Sequence, residues 1–214
     1  MSDAALSDAE RLIRTIADSV LENEKYFSDL DAVVGDGDFG YSLARGFGKL
    51  IEDWDTLDYE DVSGLFKKTA IVLSSRIGGT SGPIWGTAFL RAGTALNDAP
   101  APGSDDVIAA MRAAIEGIKQ RGDSDLGDKT LLDSLIPATD RLEQELQGGA
   151  GASEALTAAA ATARESAEAT KTMLAKRGRA AYSGDRSRDS VDAGAMGVAV
   201  LFESVSTEWS PTTV

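Results

Sequence analysis

Apolar residues recur at helical spacing along almost the whole chain, and the elements follow from that pattern. Leu12, Ile13, Ile16, Val20 and Leu21 share one face behind Ser7-Asp-Ala-Glu10, which has the form of a capping box, and predict a first helix over about 7–27. Leu43, Phe47 and Leu50 predict a second over about 41–50, and Leu65, Phe66, Ala70 and Val72 a third from near Tyr59 to about Arg76. A fourth covers 84–96, and a fifth covers 105–121 with Val107, Ile108, Met111, Ile115 and Ile118 on one side. The sixth, from Leu131 to Leu146, contains Pro137, which should kink it or mark its true start. Ser153 to Lys176 is almost all Ala, Glu, Thr and Arg and predicts a long seventh helix whose small residues allow close packing. Asp192-Ala-Gly194-Ala opens an eighth through Val198, Leu201 and Val205. With no alternating strand pattern, the expectation is an all-α fold: one domain over 1–214, a bundle of about eight antiparallel up-and-down helices.

Polar, glycine-containing loops follow the first, third, fifth and seventh predicted helices, and in an up-and-down bundle alternate loops lie at the same end. The first loop is Leu30-Asp-Ala-Val-Val-Gly-Asp-Gly-Asp38, with Asp31, Asp36 and Asp38 interleaved with glycine. Clustered carboxylates repel unless a cation sits between them, and hard oxygen ligands suit Mg²⁺ or Ca²⁺. The same residues also suit a turn before a helix, with Asp38 as its N-cap. A calcium loop of the helix-loop-helix kind fails, because counting from Asp36 places Gly40 and Phe47 where oxygen ligands are needed. The second loop, Gly78-Gly-Thr-Ser-Gly-Pro83, leads into a helix and offers amides and two hydroxyls to an anion, though it also suits a plain turn. It is not a P-loop, since no Gly-Lys-Ser/Thr follows. The third and fourth are Gly122 to Thr130 and the Arg-rich stretch 178–191.

Charge narrows the partners. With 21 Lys and Arg against 35 Asp and Glu, the net charge of −14 excludes nucleic acid and anionic membrane as main partners. Neither Cys nor His occurs, which excludes disulfides, thiolate or imidazole metal ligands, and Ser-His triads. Chemistry must run on carboxylates, hydroxyls, amides and Lys or Arg. The N-terminal residues lack a basic start and apolar run, and no stretch has the length and apolarity to span a bilayer, so a cytoplasmic protein is expected.

In order along the chain, Leu30 to Asp38, Gly78 to Pro83, Gly127-Asp-Lys-Thr-Leu-Leu-Asp-Ser-Leu-Ile-Pro137, Lys176-Arg-Gly-Arg-Ala-Ala-Tyr182 and Asp192-Ala-Gly-Ala195 together resemble the nucleotide-binding L subunit (DhaL) of dihydroxyacetone kinase. The resemblance implies a closed barrel of eight antiparallel helices with ADP or ATP at one end, bound through two Mg²⁺ ions. It implies that Asp31, Asp36 and Asp38 hold the metals; that Phe39, Gly40, Tyr41, Ser42, Thr80 and Ser81 line the phosphate and sugar side; and that Gly122, Leu131, Arg179, Asp192, Ala193 and Gly194 surround the rest of the nucleotide. It also implies a kinase acting with a separate substrate-binding K subunit on a short ketose. Either resident ADP is recharged by a phosphotransferase protein, or ATP is exchanged each cycle. Two positions depart from the family pattern: Phe39 stands where a His is usual, and Asp189-Ser-Val-Asp192-Ala-Gly194 replaces a Gly-His-x-Asp-Pro-Gly stretch. A nucleotide-bound regulatory module with little turnover is the alternative that these departures allow.

Overall fold

The computed structural model describes residues 2–209, and every regular element among them is helical. The helices are α1 (Ser2–Glu22), α2 (Glu24–Asp31), α3 (Phe39–Glu52), α4 (Val62–Arg76), α5 (Ser81–Ala95), α6 (Ser104–Gly122), α7 (Leu132–Gln147), α8 (Ala152–Ala169) and α9 (Ala193–Glu208), with short 3-10 turns at Trp54–Thr56, Thr170–Thr172 and Arg179–Ser187. Each helix from α3 onward packs on the next, α9 returns to α1, and α1 packs on α3, so the ring closes. Helix α2 continues the stave begun by α1 and lies between α3 and α9.

The ring encloses a core of side chains that water does not reach, with Ile13, Phe27, Leu43, Phe47, Leu50, Leu65 and Leu73 fully buried. Each such side chain contributes roughly 1.5–3 kcal/mol. Phe47 meets Trp85 edge to face at 6.1 Å, joining α3 to α5. On α8, Ala155, Ala159, Ala163 and Ala167 recur every four residues and are all fully buried, which lets α8 approach α7 and α9 closely. Among the described residues no helix is long and apolar enough to cross a membrane.

The predicted boundaries need five corrections. The first helix breaks at Asn23 (φ −101°, ψ 11°), whose side-chain amide and backbone amide both donate to the Ser19 carbonyl. Ser7 lies inside α1, so Ser7 to Glu10 is not its start. The third helix begins at Val62, with Asp61 accepting from the Gly64 amide at 2.6 Å, while Tyr59 outside it donates its hydroxyl to Glu10. The seventh helix ends at Ala169 rather than near Lys176. There the buried Thr170 hydroxyl donates to the Ala167 carbonyl and accepts from the Asp192 amide, tying the helix end to the start of α9. Pro137 lies inside α7 and does not mark its start.

Candidate functional site

The four loops expected at one end do meet there, around a cavity of about 480 Å³. Its wall takes Leu30 to Phe39 from the α2–α3 connection, Gly78 to Trp85 from the start of α5, Arg121 to Leu131 around the end of α6, and Arg177 to Gly194 from the segment before α9.

The acidic loop is shaped by Asp31. The chain folds back over the end of α2, so that the Gly37 amide donates to Asp31 Oδ2 at 2.9 Å and the Gly35 amide to its carbonyl at 2.6 Å. A Cβ at residue 35 would collide with the Asp31 carboxylate, and residue 37 has φ +75°, so both positions need glycine. The result is that Asp31, Asp36 and Asp38 each bring one carboxylate oxygen within 4.8 Å of the others. At that spacing each pair of like charges repels by roughly 1–3 kcal/mol near a protein surface. Arg179 offsets part of this through an ion pair with Asp36.

Asp38 occupies the N-cap position of α3, yet its side chain makes no capping bond, so it does not cap the helix and its carboxylate remains available. The start of α5 is also uncapped by any side chain: Thr80 at its N-cap position makes no such bond. The amides there, with the helix dipole behind them, suit an anion.

Of the residues that the resemblance assigns to the nucleotide, Phe39, Thr80, Ser81, Gly122, Leu131, Arg179, Asp192, Ala193 and Gly194 line the cavity. Gly40, Tyr41 and Ser42 do not form part of its wall. Gly40 is packed against the Glu24 carbonyl and Ser28, Tyr41 is largely exposed with its amide on the Ser28 hydroxyl, and Ser42 is buried within α3. Phe39 turns an edge of its ring toward Gly197 and packs 6.1 Å from Phe27, so it gives the cavity an apolar wall.

Two residues that pattern reading passed over organise the third loop. Asp133, 2 % exposed, accepts from the Gly127 amide at 2.6 Å and the Thr130 amide at 2.7 Å. Lys129, equally buried, donates inward to backbone carbonyls. The available signal was Gly127-Asp-Lys-Thr-Leu-Leu-Asp133 itself, in which a lysine and two acids sit within one tight turn and the start of the helix after it.

Asp192 caps α9 by accepting from the Ala195 amide at 2.7 Å. Burial pushes its carboxyl up to about 7, with Asp133 adding to the rise and the Ala195 amide, Lys129 and the Gly194 amide opposing it. In an unfolded chain the same group titrates near 3.9. Between about pH 4 and 7 the folded state therefore holds a proton that the unfolded state has lost. The corresponding stability is complete below that window and lost as pH rises through about 7. Asp192→Asn keeps the capping oxygen without the charge. It should gain roughly 2 kcal/mol over the natural chain at pH 8 and little at pH 4, the cavity-facing side lowering the full linkage value. Urea melts of both chains across that range check this, and a constant difference would refute it.

Fold and site together define a class: an all-α ring domain with a charged pocket at one end, built from an acidic loop and the uncapped start of a helix. Residues 33–207 match the DAK2 domain family. The chain is 34% identical over 182 residues to the ADP-binding subunit DhaL of the PEP-dependent dihydroxyacetone kinase of Escherichia coli K12, covering 85% of this chain and 87% of that protein. It is 34% identical over 197 residues to the ADP-binding subunit DhaL of PEP-dependent dihydroxyacetone kinase 1 of Listeria innocua, covering 92% and 93%. The L-erythrulose kinase of Pectobacterium atrosepticum is 34% identical over 207 residues, which is 96% of this chain and 35% of that one. Among solved structures, the native dihydroxyacetone kinase of C. freundii superimposes with a TM-score of 0.76 at 24% identity, over 94% of this chain and 34% of that one. The chain thus spans about a third of that kinase's length, and the likeness concerns the fold. The chain belongs to the DAK2-domain (DhaL) family, the ADP/ATP-binding L subunits of dihydroxyacetone kinase, and is a kinase subunit by that membership.

Proposed function

We propose that this chain is the nucleotide-binding, phosphoryl-transferring subunit of a kinase for dihydroxyacetone or a related short ketose. It works with ADP or ATP in the 480 Å³ cavity and with two Mg²⁺ ions, alongside a separate K subunit that holds the ketose. The observation that carries the reading is the approach of Asp31, Asp36 and Asp38 to within 4.8 Å at the mouth of that cavity, where Asp38 is not spent on capping. A hard, oxygen-only donor set fits Mg²⁺. When bound, the metal supplies positive charge that neutralises phosphate oxygens.

The chain's own groups divide the remaining work. The amides at the start of α5, with the Thr80 and Ser81 hydroxyls, orient phosphate oxygens. Arg179 lies across the mouth, where its guanidinium can pass from Asp36 to an anionic group. Phe39, Ile84 and Leu131 make apolar wall that excludes water around the rest of the nucleotide. No histidine is present to hold a ketose covalently, which supports the need for a second subunit. The relatives matched along most of their length are ADP-binding subunits of PEP-dependent kinases, which supports a phosphotransferase protein as phosphoryl donor.

A thermal melt tests the reading. Mg²⁺ with ADP or ATP at about a hundredfold over Kd should raise the midpoint by roughly 5–10 °C over the chain in chelator. Nucleotide that survives exhaustive dialysis would identify ADP as resident; no shift with either nucleotide would refute the site. One feature favours the second reading, a nucleotide-bound regulatory module: Phe39 packs into the core and gives the cavity no hydrogen-bond donor. Turnover with a K subunit and dihydroxyacetone separates the two, since the module would bind without turning over.

A further inference from the structure

Three protons on one buried ammonium account for how the segment over the cavity is held. Lys129 lies between α6 and α7 at φ +61°, a conformation uncommon outside glycine, and 2 % of it is exposed. Asp133 fixes this turn by accepting the amides of Gly127 and Thr130 on either side. The Lys129 Nζ donates to the carbonyl of Ser190 at 2.7 Å, to that of Met173 at 3.2 Å, and to that of Ser187. An ammonium has three donors and no acceptor, so none remains for a phosphate even though the residue forms part of the cavity wall.

The three acceptors are the two feet of one strap. Met173 begins it, just after the 3-10 turn Thr170–Thr172, and Ser187 and Ser190 end it before α9. The feet are zipped by the Ala175 amide on the Ser187 hydroxyl at 3.0 Å and by the Asp189 amide on the Lys171 carbonyl at 2.9 Å. Between them the chain contributes Arg177 to Ala180 to the cavity wall, and Gly178 (φ +63°) and Gly184 (φ +56°) bound the stretch that carries Arg179. On the far side the strap reaches the acidic loop through the Arg179–Asp36 pair and through the Ser183 hydroxyl on the Val34 carbonyl at 3.1 Å. The side chains of that ion pair are 60% and 38% exposed. Exposed pairs hold little. The strap is also tied near its first foot to the turn that carries Lys129, where the Lys176 amide donates to the Asp128 carbonyl at 3.1 Å and the Lys176 and Arg177 side chains pair with the Asp128 carboxylate, so its shape depends on the ties at its feet.

We propose that Lys129 is a positioning residue: by gathering the carbonyls of Met173, Ser187 and Ser190 on one ammonium, it fixes both feet of the strap and delivers Arg179 to the mouth of the cavity. The proposal rests on the reading of that cavity as the nucleotide site. Lys129 acts through Arg179 and touches no phosphate, which separates it from a phosphate-binding lysine.

The strap carries Lys176, Arg177, Arg179, Arg186 and Arg188, so trypsin reports its tethering with no ligand present. In the full-length Lys129→Met chain, cleavage within 176–188 should accelerate roughly tenfold or more, because local opening sets the rate. Mg²⁺-ADP affinity, read by calorimetry, should fall about tenfold where Arg179 is present. In an Arg179→Ala background the same change should cost less than about twofold, the non-additivity expected of residues acting in series. Lys129→Gln, nearly as long and with one amide donor, should lie between the two and carries the test if the Met variant does not fold. Unchanged strap cleavage, or equal losses of affinity with and without Arg179, would overturn the proposal. A natural chain that binds no Mg²⁺-ADP would instead sink the nucleotide reading, and the trypsin rates alone would then decide the tether.

Discussion

Asp36→Asn is expected to abolish the stabilisation that Mg²⁺ and nucleotide confer, while leaving the unliganded chain within about 2 °C of its natural melting point. The asymmetry follows from where Asp36 sits. Its carboxylate is 38% exposed and its partner in the unliganded chain, Arg179, is 60% exposed, so the ion pair lost on substitution contributes about 0–1 kcal/mol. Relief of repulsion from Asp31 and Asp38, both within 4.8 Å, offsets that loss. With a divalent cation the balance inverts. Three carboxylates converge on one point, and removing one takes both a ligand and a full negative charge from the metal. Affinity for Mg²⁺-ADP should drop at least about a hundredfold, near 3 kcal/mol, since even outer-sphere partners of a metal are worth ten- to a hundredfold. Asp58→Asn, an exposed acid in the α3–α4 connection, is the control and should leave the ligand shift intact. If Asp36→Asn lowered the unliganded midpoint by 10 °C or more, the residue would be a structural support of the loop and the metal assignment would fall.

The acidic loop was legible because its chemistry is local. Carboxylates and glycines within one short run state both the charge problem and the backbone freedom that brings the charges together. The shared end of the four loops was legible from parity alone, which needs only the number and order of helices. What escaped was tertiary. Apolar residues continue through Val20, Leu21, Phe27 and Leu30, so periodicity runs straight past Asn23, where the backbone leaves helical geometry (φ −101°, ψ 11°) although the Asn23 backbone amide still donates to the Ser19 carbonyl. Helix propensity likewise continues beyond Ala169, and the helix ends there because the Thr170 hydroxyl is claimed by the start of α9. Lys129 reads as a surface lysine until the three carbonyls around it, drawn from residues 44 to 61 positions away, are in place.

Gly40 is the residue whose role most needed the structure, and its replacement carries the second large effect. Adjacent to Asp38 and Phe39, it reads as part of the pocket lining. In the fold it is the contact point between α2 and α3, buried against the backbone carbonyl of Glu24 and the amide and hydroxyl of Ser28. A Cβ there meets backbone, which cannot rotate away, so the two helices must part. Gly40→Ala should destabilise the chain by about 2–4 kcal/mol, the cost of overpacking at a rigid site, and lower the midpoint by roughly 5–15 °C. The helices that part are those that carry the acidic cluster: α2 ends at Asp31, and α3 begins directly after Asp38. Well below its melting point, the variant should therefore also bind Mg²⁺-ADP at least about tenfold more weakly, with every ligand side chain still present. Gly48, on the same helix, separates this from a general effect of glycine, since a Cβ there meets Leu21 at an ordinary 3.5 Å. Gly48→Ala should be neutral or stabilise by up to about 1 kcal/mol through helix propensity. A Gly40→Ala chain that melts and binds like Gly48→Ala would mean that the α2–α3 contact yields freely, and that the metal-binding geometry does not depend on how closely these two helices approach.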